Sequence, residues 1–429
     1  MCHYFKRHGR KFPSSRHAKA GSYVARRGED APPYLEQDTL PYLRSAAHAG
    51  GLRLKFPQLH CPTDGMQRLE LHDFHQKLGA RFTTINGAEA VADYGNAEAE
   101  HTALREAAGV LDLSFRSRLC LTGADRVRFL HGQATNDVKA LVPGAGCYAA
   151  LVTAKGRMES DLNIYYLADE LLLDFEPGLV AVITQRLEKY IVADDVQVVD
   201  VASMYGLLSV QGPRSDAIVS SLGIFATVPK RSFDFVKADA SGLGELYLMN
   251  QPRTGSAGFD LFFPIASMSS AIDKLIAAAQ KHGGGPCGWT ALESARIEAG
   301  IPRFGLDMDE TNFPQECRIE ERAISYNKGC YIGQEVINRI HTMGHVNKHL
   351  CGLRLAEALS NLPSKGDKIF HNGKEVGYIT SALVSKPVNA KIALGYLRSE
   401  ANQIGTELKL RAAEGDTLAH VVSLPFRAS

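Results

Sequence analysis

The residues best suited to chemistry stand in one run, Lys328-Gly329-Cys330-Tyr331-Ile332-Gly333-Gln334-Glu335. A cysteine sits between glycines, two places from a lysine, just ahead of a helix-like stretch at 334–340. Peptide N–H groups at a helix start carry partial positive charge, and an ammonium nearby adds to it. Both favour the thiolate over the thiol. A thiolate at Cys330 would be a nucleophile, a redox thiol or a soft metal ligand. The competing reading is a structural cysteine in a glycine turn, where glycine lets the backbone approach a neighbour closely.

Three further groups carry polar chemistry. Gln133-Ala134-Thr135-Asn136-Asp137 closes a short expected helix. Its amide, hydroxyl and carboxylate groups suit either a hydrogen-bonded turn or recognition of a polar heterocycle. Asp161 follows an expected strand bulge at 156–160. Facing a cavity, it would pair with a ring nitrogen or a cationic substrate; otherwise it is a solvated strand residue. His341, His345 and His349 recur every four residues, as one helix face would require. Gly344 breaks that helix, and no carboxylate stands at a third-ligand position. With Arg339, Lys348 and Arg354 they read as a local basic surface, able to receive an anionic cofactor tail or a partner.

The elements that must hold these groups follow from pattern. Residues 1–65 are an outlier: the first 28 contain eight Lys/Arg and no acid. They read as a disordered or mis-started extension, or as a transit-like leader, with Met66 a sensible start. Helices are expected at 66–80, 98–109, 126–133, 179–192, 214–222, 268–282 and 291–299. Gly109 is read as a C-cap, and Thr290 with Glu293 as a capping box. Strands are expected at 118–121, 147–153, 158–167, 170–175, 196–201, 205–210, 245–249 and 259–264, with a tight hairpin turn at Lys155-Gly156. Beyond about 345 only short alternating strands remain, which reads as a small antiparallel barrel.

Composition bounds the function. The 429 residues are 45% apolar and 22% charged, with Lys+Arg 48 against Asp+Glu 47. A chain this neutral has no global field to draw it to nucleic acid or an anionic membrane, and neither is expected as a partner. No apolar run is long enough for a transmembrane helix. Eight cysteines without a C-x-x-C pair point to a reducing compartment rather than a disulfide scaffold. There is no glycine-rich dinucleotide fingerprint and no Walker loop.

Taken with its neighbours, KGCYIGQE resembles the signature of the YgfZ-type folate-binding proteins. These are relatives of the glycine-cleavage T-protein (aminomethyltransferase) that act in iron–sulfur cluster assembly and repair. FLHGQATND (129–137), LLSVQGP (207–213), RTGSAGFDLF (253–262), ESARIEAGIPRFGLDM (293–308), NFPQE (312–316), GKEVGYITS (373–381) and IALGYL (392–397) resemble family segments in the expected order. The resemblance implies an α+β fold: a ring of two mixed α+β domains (66–205 and 206–345) and a C-terminal antiparallel β barrel (346–429). A central tetrahydrofolate pocket is implied, with Gln133, Thr135, Asn136, Asp137, Asp161, Asp260 and Arg296 about it. Within that implied pocket, Asp260 would bind the pterin and Arg296 the acidic tail region, and Cys330 would be the reactive thiol. The implied partners are iron–sulfur enzymes or cluster assembly proteins, in the cytoplasm, or in the mitochondrial matrix if the source is eukaryotic. The alternative is a folate-dependent aminomethyltransferase or demethylase. Two departures from T-proteins stand out: their usual double aspartate reads Ser160-Asp161, and RTGSAGFD lacks the carboxylate of T-G-E-x-G-F.

Overall fold

The computed structural model describes residues 67–413 and 415–427. The expectations for residues 1–65 and for a start at Met66 lie outside them. Three β assemblies organise the described chain, beside a small hairpin of Arg81–Ile85 and Ala88–Asp93.

The first assembly is a five-stranded antiparallel sheet. Its spatial order is Gly146–Val152, Met158–Tyr166, Leu171–Phe175, Ser117–Thr122, Gln197–Asp200. Leu119, Leu121, Leu162, Ile164, Leu171 and Leu173 face helices Arg126–Gln133 and Val180–Glu188. Alternation along these strands puts the other face, including Tyr165 and Leu172, against a second sheet.

That second sheet has six strands: Phe235–Ala240, Gly244–Asn250, Gly258–Pro264, Tyr205–Gln211, Gly109–Asp112 and Gly285–Pro286. All pairs are antiparallel except the last, which is parallel. Helix Met268–Lys281 covers its outer face with Met268, Ala271, Ile272, Leu275 and Ala279, an i, i+3, i+4, i+7 stripe. Burying each large member of that stripe contributes about 1.5–3 kcal/mol.

The third assembly is a closed six-stranded antiparallel barrel. It runs Lys348–Leu355, Ala390–Arg398, Lys374–Ser385, Lys368–His371, Glu407–Ala412, Gly415–Val422 and back to the first strand. Closure leaves no exposed edge to aggregate. The fold class is therefore α+β, with mixed modules and a C-terminal barrel as expected.

Local readings differ in instructive ways. Gly109 is not a C-cap: helix Ala97–Glu106 ends on Ala107, and Gly109 opens a strand. A Cβ there would sit 2.4 Å from Cys287 Sγ, so packing rather than capping requires glycine. The Thr290/Glu293 capping box does not form. Helix Trp289–Glu298 starts after Gly288 with no side-chain cap, because Glu293 is drawn to Arg296 and Arg303 instead. The first described helix is only His72–Lys77. Strands Arg81–Ile85, Ala88–Asp93, Gly109–Asp112 and Phe235–Ala240 were not expected.

Candidate functional site

The site begins with a hairpin. Strands Gly146–Val152 and Met158–Tyr166 turn at 153–157, where Thr153 and Arg157 bond through their backbones and Gly156 has φ +74°. The register slips between Leu151 and Val152, at the place where a bulge was expected. This sets Ala150 opposite Asp161 and Tyr148 opposite Asn163, all on one face. Small Ala150 leaves room for a diagonal contact, and Tyr148 Oη donates to Asp161 Oδ2 at 2.8 Å. Burial, then the charge of Glu176, raises the Asp161 carboxyl to about 6, while the Tyr148 bond pulls the other way.

Asp161 and Tyr148 stand on the wall of a hollow of about 530 Å³. Leu113, Phe233, Trp289 and Leu292 give it apolar faces; Asn136, Asn163 and Gln251 give it amides. Beneath lies an alternating chain of carboxylates and guanidiniums. Arg253 holds Asp260 at 2.5 Å and Asp174 at 3.0 Å. Arg116 holds Asp174 at 2.9 Å and Glu176 at 2.5 Å. Arg303 lies 3.6 Å from Glu176 and 3.2 Å from Glu293, over the Trp289 ring. Arg296 holds Glu293 at 2.8 Å and also Asp307. Asp307 in turn accepts Thr380 Oγ1 at 2.6 Å and Ser381 Oγ at 2.7 Å from a barrel strand. Buried charges survive only when paired in this way. The chain thus ties both sheets, the helix Trp289–Glu298 and the barrel to one site.

The residues singled out from sequence divide into two groups. Asn136, Asp161 and Arg296 line the hollow. Gln133, Thr135, Asp137, Asp260 and Cys330 are not among its lining residues. Gln133 accepts from Arg186 at 2.7 Å, a residue of helix Val180–Glu188. Thr135 is fully buried, donating to Ala323 O and accepting from Ala150 N. Asp137 caps the short helix Val138–Ala140. The 133–137 run is thus a hydrogen-bonded turn in which Asn136 alone reaches the hollow. Its Nδ2 donates to Tyr148 O at 2.8 Å and Arg322 O at 3.0 Å. Asp260 lies under Arg253 and accepts from Ser209 at 2.7 Å.

Cys330 is exposed on a loop clamped to that turn. Lys328 is buried and donates to His131 O at 2.5 Å and Ala134 O at 2.6 Å, at the end of helix Arg126–Gln133. Burial lowers its ammonium to about 8. Gly333 precedes helix Gln334–Met343 at φ +83°, where a Cβ would come 2.5 Å from Thr153 O. Gly329 is under no such pressure, its nearest neighbour being 3.6 Å away. The helix ends at Gly344, so the three histidines do not share one face; His341 stacks on Tyr326 at 3.7 Å. Among the described residues no group of three or more His, Cys, Asp or Glu is placed to hold a metal ion.

Sequence reasoning missed Tyr148, Glu176, Arg116, Arg303, Arg322 and Trp289. Period-2 alternation from Asp161 across the hairpin would have found Tyr148, and Trp289 is the only tryptophan. Arg116 and Arg303 had no local signal, since Asp174 and Glu176 lie far from them along the chain.

Comparison with known proteins bears on this arrangement. Residues 71–328 match the GCVT N-terminal domain, and residues 348–427 match the glycine cleavage T-protein C-terminal barrel domain. The chain belongs to the glycine cleavage T-protein family. Within this family it is 28% identical over 368 residues to the aminomethyltransferase of Bacillus subtilis (strain 168), covering 84% of this chain and 99% of that protein. It is also 28% identical over 363 residues to the aminomethyltransferase of Chloroherpeton thalassium, covering 84% and 99%. The crystal structure of glycine cleavage system aminomethyltransferase T from Bartonella henselae shares the T-protein fold at TM-score 0.76. That match has 23% identity, over 84% of this chain and 98% of that one. Among the described residues no helix is long and apolar enough to cross a membrane.

Proposed function

We propose that the hollow binds a tetrahydrofolate and that Asp161 moves the proton in a one-carbon transfer of the aminomethyl type. One observation carries this reading: a half-buried carboxyl, raised to about 6, stands on the wall of a cavity with flat apolar faces and convergent amides. When bound, a tetrahydrofolate supplies nitrogen atoms that accept a one-carbon unit.

The residues present fit such a group. Glu176 Oε2 is buried without a hydrogen-bond partner, and suits the N–H donors of a planar heterocycle. Trp289 and Phe233 offer ring faces, and Asn163 and Gln251 offer donors and acceptors. With its carboxyl near 6, Asp161 is mostly ionised at neutral pH yet able to hold a proton, as a general base requires. Tyr148 fixes its orientation. The names of the Bacillus subtilis and Chloroherpeton thalassium relatives support this reading.

The test is calorimetry with tetrahydrofolate, followed by transfer from an aminomethyl-lipoyl donor. Asp161→Asn should bind the folate and lose about 10²–10⁴ in turnover. No folate binding by the wild type would end the proposal.

A second reading is favoured by the exposure of Cys330 in KGCYIGQE and by Ser160 in place of a second aspartate. It is a YgfZ-type, tetrahydrofolate-binding accessory factor in iron–sulfur cluster assembly or repair. Cys330 would then meet iron–sulfur enzymes or assembly proteins in the cytoplasm, or in the mitochondrial matrix of a eukaryote. Cells carrying Cys330→Ser should lose cluster-enzyme activity while the purified variant keeps its folate affinity. Intact cluster enzymes in those cells would remove this reading.

A further inference from the structure

Five arginines line the hollow: Arg116, Arg253, Arg296, Arg303 and Arg322. The first four are spent on the protein's own carboxylates. Arg296, the residue with an expected tail-binding role, is engaged on both sides by Glu293 and Asp307 and also bonds Ser381 Oγ at 3.2 Å. Taking it for a ligand would leave Glu293 with Arg303 alone and strip the fully buried Asp307 of its guanidinium partner.

Arg322 is different. Among the described residues no carboxylate pairs with it, and its side chain is exposed at the rim. Its guanidinium lies 5.2 Å from the centre of the Tyr148 ring, the same Tyr148 that holds Asp161. Its backbone is anchored as well: Arg322 O accepts from Asn136 Nδ2, and Thr135 ties down Ala323 O next door. The cation is thus held over the wall by a fixed main chain and a ring face, with its planar donor fork still available.

We infer that Arg322 is the anion subsite of the hollow, taking a carboxylate on the arm of a ligand whose ring system lies within. This rests on the folate reading above, since a reduced folate carries its carboxylates on a glutamyl arm at the far end from the pterin. The subsite makes the hollow selective for acid-bearing folates over bare pterins. The ring is held by the amides, Trp289 and Glu176; the arm is held by one free guanidinium.

The experiment compares wild type, Arg322→Gln and Arg322→Lys by calorimetry, with tetrahydrofolate and with 6-methyltetrahydropterin, which has no arm. Arg322→Gln should weaken tetrahydrofolate about fivefold and leave the tetrahydropterin unchanged. Arg322→Lys should fall between, keeping the charge without the fork. Raising salt should weaken wild-type folate binding and flatten the difference from Arg322→Gln. Equal folate affinity in wild type and Arg322→Gln overturns the inference, as does an equal loss for both ligands. If the wild type binds neither ligand, the folate reading itself fails.

Discussion

Tyr148 and Asp161 meet diagonally across a hairpin, phenol to carboxylate at 2.8 Å, on the wall of the hollow. The bond steadies the ionised form of an acid that its surroundings push toward protonation. Tyr148→Phe removes that support without opening a large cavity. The Asp161 titration midpoint should rise by about one pH unit above its wild-type value. Carbon-13 NMR of the aspartate carboxyls reads this directly, and an unchanged midpoint would deny Tyr148 its role.

The same carboxyl should make stability depend on pH. The folded group titrates near 6, and an unfolded aspartate near 3.9. The folded state therefore holds the proton longer, and stability falls as pH rises from about 4 to 6. Above 6 the penalty is complete. Asp161→Asn has no charge to desolvate, so it should be about 3 kcal/mol more stable than wild type at pH 8 and near equal at pH 4. Urea unfolding at both values gives the comparison; the same difference at each pH would contradict it.

The charge chain should be least tolerant at its centre. Arg116 serves both Asp174 and Glu176, and all three are buried. Arg116→Met takes one of the two arginines from Asp174 and leaves Glu176 only the more distant Arg303, and should cost about 3 kcal/mol in urea unfolding. Adding Asp174→Asn and Glu176→Gln to that variant should recover part of the loss. A single variant as stable as wild type would mean that the chain carries no energetic weight.

Thiol chemistry should be confined in the described part of the chain. Burial raises Cys287 and Cys317 well above the ordinary thiol range and brings Cys147 to about 12, whereas Cys330 is exposed. Brief iodoacetamide treatment of the native protein, followed by peptide mapping, should label Cys330 ahead of those three. Since Cys330 does not line the hollow, Cys330→Ser should bind tetrahydrofolate within twofold of wild type. A larger loss would place the sulfur in the site after all.

Much of the fold was legible because hydrophobic period carries it. Helix Met268–Lys281 shows an uninterrupted apolar stripe, and the barrel strands alternate between glycine turns. Asn86-Gly87, with both residues at positive φ, is a strong local hairpin signal, as Asn372-Gly373 is in the barrel, yet the strands beside it are masked by the helix expected just before them. The site was legible only in part. Asp161 could be found from the bulge ahead of it. Asn136 could not be separated from Gln133, Thr135 and Asp137, since which side chain of a turn faces inward depends on what packs behind it. The arginine network was hidden for a simpler reason: Arg116 and Glu176, or Arg253 and Asp174, are brought together by sheet pairing and leave no spacing to read.

Among the described residues no barrel side chain lines the hollow, yet the chain of charges ends on two barrel hydroxyls, Thr380 and Ser381. The barrel is therefore a keystone rather than an appendage: it fixes Asp307, and through Asp307 the posture of Arg296 and Glu293. Losing those two small side chains would loosen the floor of the hollow from a distance.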